Sequence, residues 1–232
     1  MPQDALARQL QSLKRRGYEG LTVAEAERRL ASGTLPRRTV VVTFDDAYAS
    51  TLLAKPLLDA VGYPATVFVV TSFADSGERL CWAGIEQWVD GPYAGELQPL
   101  AWGELRALRD DGWEIGSHTV THARLPEVDD ETLERELGDS RARIVAELGA
   151  CATIAYPYGL ADDRVAAAAG RAGYASGLTL TSSHRRDEPL LRPRTGLYPT
   201  DRWRERVKLS LWFGAVRRSR LGGPLVEALA RD

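Results

Sequence analysis

Two adjacent carboxylates, Asp45 and Asp46, end the run Thr43-Phe44-Asp45-Asp46. Further along, His118 and His122 frame Ser117-His118-Thr119-Val120-Thr121-His122, and the chain holds only three histidines. A third fragment, Ala155-Tyr156-Pro157-Tyr158-Gly159, supplies a rigid turn. One aspartate with two neutral imidazoles is a sound ligand set for a borderline divalent ion such as Zn²⁺, and it leaves positions open for water and substrate. Neighbouring aspartates on extended backbone point to opposite sides, so one can ligate while the other acts on the water. The chemistry implied is metal-dependent hydrolysis.

These fragments are useful only if the chain brings them together, and the elements around them supply a way. Thr39 to Thr43 is a short β-branched run that reads as a strand buried on both faces. Ala65–Val70, Trp113–Gly116, Ala152–Ala155 and Ala175–Leu180 read as further strands. Helical patterns alternate with them over 48–60, from Trp102 towards Gly112, along Leu133, Leu137, Ile144 and Leu148 to Gly149, and over 161–172. Alternating strands and helices indicate parallel βαβ units. In a parallel (β/α) barrel the strand C-termini share one face. Each of the three fragments follows a strand, so residues far apart in sequence meet there.

The flanks read as follows. Residues 4–17 form an amphipathic helix capped by Asp4, and Thr22-Val23-Ala24-Glu25 matches a capping box. Residues 1–37 are therefore a helical lead-in, and 200–232 a helical, amphipathic extension of a single 1–232 domain. Residues 71–100 are a long irregular insert. Its Trp82, Trp88 and Tyr93 either line a sugar groove or pack locally within the loop.

Composition sets bounds. A net charge of -2 gives no reason to expect nucleic acid, and the basic run Arg217-Arg218-Ser219-Arg220 reads as a solvated helix face. Cys81 and Cys151 lie in no ligand-spaced cluster and read as small, partly buried hydrophobes. No apolar run approaches the roughly 20 residues of a membrane span. The start Met1-Pro2-Gln3-Asp4 lacks an apolar secretory core, so a cytoplasmic location is expected.

In this order and spacing the three fragments resemble the polysaccharide deacetylase family, the NodB-homology or carbohydrate esterase 4 domain, over roughly residues 5–200. The resemblance implies a distorted (β/α) TIM-like barrel, one divalent ion (Zn, or Co or Ni) and an N-acetylated carbohydrate substrate. It implies Asp45 as catalytic base and Asp46, His118 and His122 as metal ligands. Tyr158 would offer its backbone N–H to the oxyanion. The chain departs from the family in three places. Ala155 stands where many members carry an arginine that orients the base. His184 is the one candidate for the general acid, with a surface residue as the other reading. The tryptophan-bearing fourth motif survives only as an echo in Asp201-Arg202-Trp203. The implied activity is removal of an N-acetyl group from an amino sugar. The alternatives are a small or lipid-linked glycoside as substrate, or a silent metal- and sugar-binding barrel.

Overall fold

The computed structural model describes residues 2–180 and 188–196. Seven parallel strands run β1 (Glu19–Leu21), β2 (Thr39–Phe44), β3 (Ala65–Val69), β4 (Glu114–Ser117), β5 (Thr153–Ala155), β6 (Ser176–Thr179) and β7 (Arg192–Pro193). They pair in chain order, and among the described residues no ladder joins β7 back to β1. The sheet is thus a curled half-barrel, the distorted (β/α) barrel expected. Registers such as Val69 opposite Ser117 and Thr179 opposite Pro193 bring the strand C-termini to one rim.

Among the described residues, seven α-helices accompany the strands: α1 (Gln3–Arg15), α2 (Val23–Ala31), α3 (Lys55–Asp59), α4 (Thr71–Ser76), α5 (Trp102–Asp110), α6 (Asp130–Leu148) and α7 (Asp163–Ala172). In α6, Leu133, Leu137, Ile144 and Leu148 recur every four or seven residues, so they share a face and are all buried. Each buried leucine or isoleucine contributes about 1.5–3 kcal/mol. Asp129 caps this helix by accepting from the Thr132 N–H at 2.8 Å, and Gly149 ends it in a left-handed turn.

Strand alternation divides the apolar side chains into two cores. A large one joins the sheet to the helices and includes Val67, Val69, Ile115, Ile154 and Tyr156. A small one gathers Val23, Phe68, Ala155 and Leu178, with Val41 against it. Gly116 must be glycine here, since a Cβ would lie 2.5 Å from the Phe68 ring. At the strand N-termini the fill turns polar. Glu114 accepts from the Ala24 N–H and the Thr66 and Thr153 hydroxyls, and the Val23 N–H donates to Thr66. This network caps the start of α2 and closes the end of the half-barrel remote from the three fragments.

Several sequence expectations change. Pro2, not Asp4, precedes α1, and Asp4 lies in its first turn beside Arg8. Thr22 caps α2, but Glu25 turns to Arg29 and does not complete the box. The lead-in is not wholly helical, because β1 extends the sheet. β2 is only partly buried, since it lies towards the open edge; β3 is buried throughout. The 48–60 helix divides into a 3₁₀ turn over Ala49–Leu53 and a short α3 that admits Pro56 in its first turn. The insert begins with α4 before it becomes irregular. Cys151 is buried, as expected, but Cys81 is exposed; both are free thiols. No helix among the described residues is long and apolar enough to cross a membrane. His184, Asp201-Arg202-Trp203, Arg217–Arg220 and the 200–232 extension lie outside the described residues.

Candidate active site

The chain turns sharply where the chemistry is. Among the described residues, the non-glycine positions with left-handed φ are Asp46, Ala47, Thr119, His122 and Tyr158, at +53° to +70°. All five belong to, or directly follow, the three fragments. Such conformations cost about 1–3 kcal/mol each and persist only where surrounding contacts enforce them.

Asp46 leaves the end of β2 in this left-handed turn. It is the turn, more than strand alternation, that separates the two carboxylates. Asp46 Oδ1 faces His118 Nε2 at 3.3 Å and His122 Nε2 at 3.4 Å. This oxygen is buried and has no hydrogen-bond partner among the described residues. A tetrahedral ion with bonds of 2.0–2.1 Å separates its ligands by about 3.4 Å. The donor set, its spacing and the unpartnered buried oxygen therefore fit a divalent ion, and they would hold it through Asp46, His118 and His122.

His118 is fixed by the sheet. Its N–H donates to Val69 O at 2.8 Å, and its ring Nδ1 lies 2.7 Å from Ala155 O. A carbonyl can only accept, so Nδ1 carries the proton and Nε2 presents a lone pair to the site. Burial alone would lower the His118 pKa, but Asp46 and Asp45 outweigh it and raise it. His122 behaves oppositely: burial, and then repulsion from His118, pull its pKa down to about 4. It is therefore neutral at neutral pH.

The segment between the two histidines is a loop, not a helical turn. Its amides converge on Glu136 of α6, whose Oε2 accepts from the Val120 and Thr121 N–H groups, both at 2.9 Å. Oε1 accepts from the Thr121 hydroxyl at 2.6 Å. Thr119 Oγ1 receives the His122 N–H, and the first N–H groups of α4 take the Thr119 and Val120 carbonyls. The sequence reading missed Glu136. The available signal was an acid beside Leu133 and Leu137 on the buried stripe of α6.

Aromatic side chains wall the outer side. Trp82 stacks on the His122 ring with centroids 4.0 Å apart, and Tyr158 meets the same ring edge-on at 4.6 Å. The Tyr158 hydroxyl donates to Ala83 O, and the Arg124 guanidinium lies 4.3 Å above its ring. Of Trp82, Trp88 and Tyr93, it is Trp82 that stacks at the site; Trp88 and Tyr93 are exposed.

Asp45 stands outside the Asp46-His118-His122 cluster. Both its oxygens are taken by Arg194, Nη1 to Oδ1 at 2.6 Å and Nη2 to Oδ2 at 2.8 Å. Burial would raise its pKa, but Arg194, His118 and His122 prevail and hold it below the usual value. Arg194 too was missed. Its signal was faint: an arginine just past a two-residue strand that contains proline.

A curled parallel sheet with an Asp-His-His cluster and a separate paired aspartate at its C-terminal rim defines a class of metal-site half-barrels. The polysaccharide deacetylase family model matches residues 32–177, well over half of the chain. This protein belongs to the polysaccharide deacetylase family. YxkH of Bacillus subtilis (strain 168), to which the same family is ascribed, is 27% identical over 166 residues. That match covers 70% of this chain and 52% of YxkH, so the chain spans about half the length of that relative. Among solved structures, the Streptococcus pyogenes deacetylase PplD, in complex with acetate, is 25% identical with a TM-score of 0.74 over 89% of this chain and 85% of that one. The BpsB deacetylase domain of Bordetella bronchiseptica is 25% identical with a TM-score of 0.65, covering 80% and 81%. IcaB of Ammonifex degensii, 22% identical with a TM-score of 0.69 over 88% and 87%, shares the fold.

Proposed function

We propose that the protein is a metal-dependent deacetylase that hydrolyses the N-acetyl group of an amino sugar within a carbohydrate. The observation that carries this reading is the division of labour between adjacent aspartates. Asp46 Oδ1 faces both imidazoles, while Asp45 is held apart by Arg194. A binding barrel would have no use for the second carboxylate. Family membership supports the reading, and acetate, bound in the similar PplD structure, is the product such a reaction releases.

A bound Zn²⁺, Co²⁺ or Ni²⁺ would polarise the amide carbonyl and acidify water beside it. The residues of the chain do the rest. Asp45 takes the proton from the attacking water. The Tyr158 N–H, in a left-handed turn, donates to the oxyanion. Asp45 then returns the proton to the leaving amine as the C–N bond breaks. Trp82 and Tyr158 supply apolar walls that suit a sugar ring and exclude water from the outer side.

The test is acetate release from N-acetylated amino-sugar oligomers, with protein stripped of metal and then loaded with Zn²⁺, Co²⁺ or Ni²⁺. Release that requires added metal is expected. Absence of release from every oligomer with each metal bound stoichiometrically would overturn the reading.

A further inference from the structure

We propose that Arg194, at the far edge of the sheet, is the residue that positions Asp45 for proton abstraction. The proposal rests on the reading of Asp45 as the base. It assigns to β7 a role that the 155 position, holding Ala155, cannot serve.

Arg194 lies immediately past β7, and its N–H donates to Thr179 O at the end of β6 at 2.9 Å. β7 ends the described pairing order and β2 is next to its other end, so the side chain reaches across the rim. There it grips both Asp45 oxygens and also donates from Nη1 to Thr43 Oγ1 at 3.0 Å. Two parallel N–H···O bonds fix the plane of a carboxylate as well as its place. An ionised carboxylate accepts at about four lone-pair sites, so Asp45 can still take a proton from water.

The surroundings are arranged for this arginine. Its guanidinium lies 5.6 Å above the Phe68 ring, and Phe68 packs with Ala155 in the small inner core. The methyl group at 155 leaves the space above Phe68 open to a side chain arriving from β7. Arg194 is only 14% exposed, and its Nε is buried with no partner among the described residues. An unsatisfied buried donor costs about 1–3 kcal/mol. A purely structural clamp would be poorly served by that cost; a guanidinium whose terminal donors must face Asp45 and Thr43 accounts for it. The strand itself is anchored, since Arg192 pairs with Glu27 of α2 at 2.9 and 3.0 Å. The clamp also lies beyond residues 32–177, the span the family model matches.

The experiment compares the metal-loaded wild type with Arg194→Ala and Arg194→Lys. It measures kcat and KM for acetate release, bound metal, melting temperature and a crystal structure of each. Misplacing a catalytic group by about 1 Å costs about 10²-fold. Arg194→Ala should therefore lose about a hundredfold in kcat, with KM changed less than about threefold and metal content intact. Lysine offers a point charge and cannot span both oxygens, so Arg194→Lys should regain less than about tenfold. In the Arg194→Ala crystal the Asp45 carboxylate should have turned from its wild-type orientation. A kcat within about fivefold of wild type, or metal lost in proportion to activity, would overturn the assignment. If the wild type itself releases no acetate, the deacetylase reading has failed. The crystals then decide on Arg194 alone, and an unmoved Asp45 carboxylate overturns its positioning role.

Discussion

His118 and His122 face the same oxygen and are held by different physics. His118 belongs to the sheet: a backbone carbonyl takes its Nδ1 proton, and strand β3 takes its amide. His122 belongs to the loops: its Nδ1 is buried with no partner among the described residues, Trp82 stacks on the ring and Tyr158 meets it edge-on. Metal-bound imidazoles commonly donate their second N–H to an oxygen. One of this pair follows that pattern, and the other exchanges it for an aromatic contact from an insert. The lesson is that one imidazole of the candidate metal site is fixed by the barrel and the other by loops.

The comparison breaks most completely at the sheet side. His118→Ala should abolish both metal binding and acetate release, whereas Asp45→Asn should abolish release and leave metal near stoichiometric. Metal analysis beside the activity assay checks this; equal metal loss in both would erase the division between the aspartates. Glu136→Ala is next, because it leaves two loop amides and a hydroxyl without their acceptor. Metal affinity should fall about 10–100-fold, the usual cost of losing a supporting partner, as read by competition titration with a chelator.

Acid should act on the metal before the base. The folded His118 pKa is raised, so protons compete with metal at that ring as pH falls through this raised value. Asp45 is held below its ordinary value and stays ionised at those pH values. Metal content and activity should fall together, by up to about tenfold per pH unit, when both are followed from pH 8 to pH 5. Activity lost while metal remains bound would place the limiting proton on another group. The smallest effect belongs to the loop side. Stacking contributes about 0.5–1.5 kcal/mol, so Trp82→Ala should weaken metal binding by about two- to tenfold, and Trp82→Phe by less. An effect as large as that of His118→Ala would mean the insert holds the site as firmly as the sheet does.

What the sequence made legible follows the same division. Strand β2 announced itself through a β-branched run, and β3 to β6 as short segments alternating with helical patterns. Asp45, Asp46, His118 and His122 stood at strand ends, where a parallel sheet gathers its chemistry. The structure brings Asp46, His118 and His122 together as expected and places Tyr158 against His122. The elements that escaped were those with no periodic signal: β1 with three residues, β7 with two and a proline, and the loop between the histidines, whose spacing imitates a helix. Glu136 and Arg194 escaped because their partners are distant in sequence. A carboxylate on a helix, or an arginine after a short strand, acquires its meaning only once the chain has folded. Ala155 was legible as a missing arginine; that the replacement comes from β7 was not.

The left-handed backbone at the rim bears on how this protein can be made hardier. At Ala47 the side chain is a single methyl group with no chemistry of its own, yet it keeps a conformation that glycine would adopt freely. The easiest gains in thermal robustness therefore lie on the very turn that separates Asp45 from Asp46, where a looser chain would blur the two carboxylates' assignments. The Glu114 network at the opposite end of the strands is the better place to begin such engineering, since polar contacts there can be reinforced far from the two aspartates.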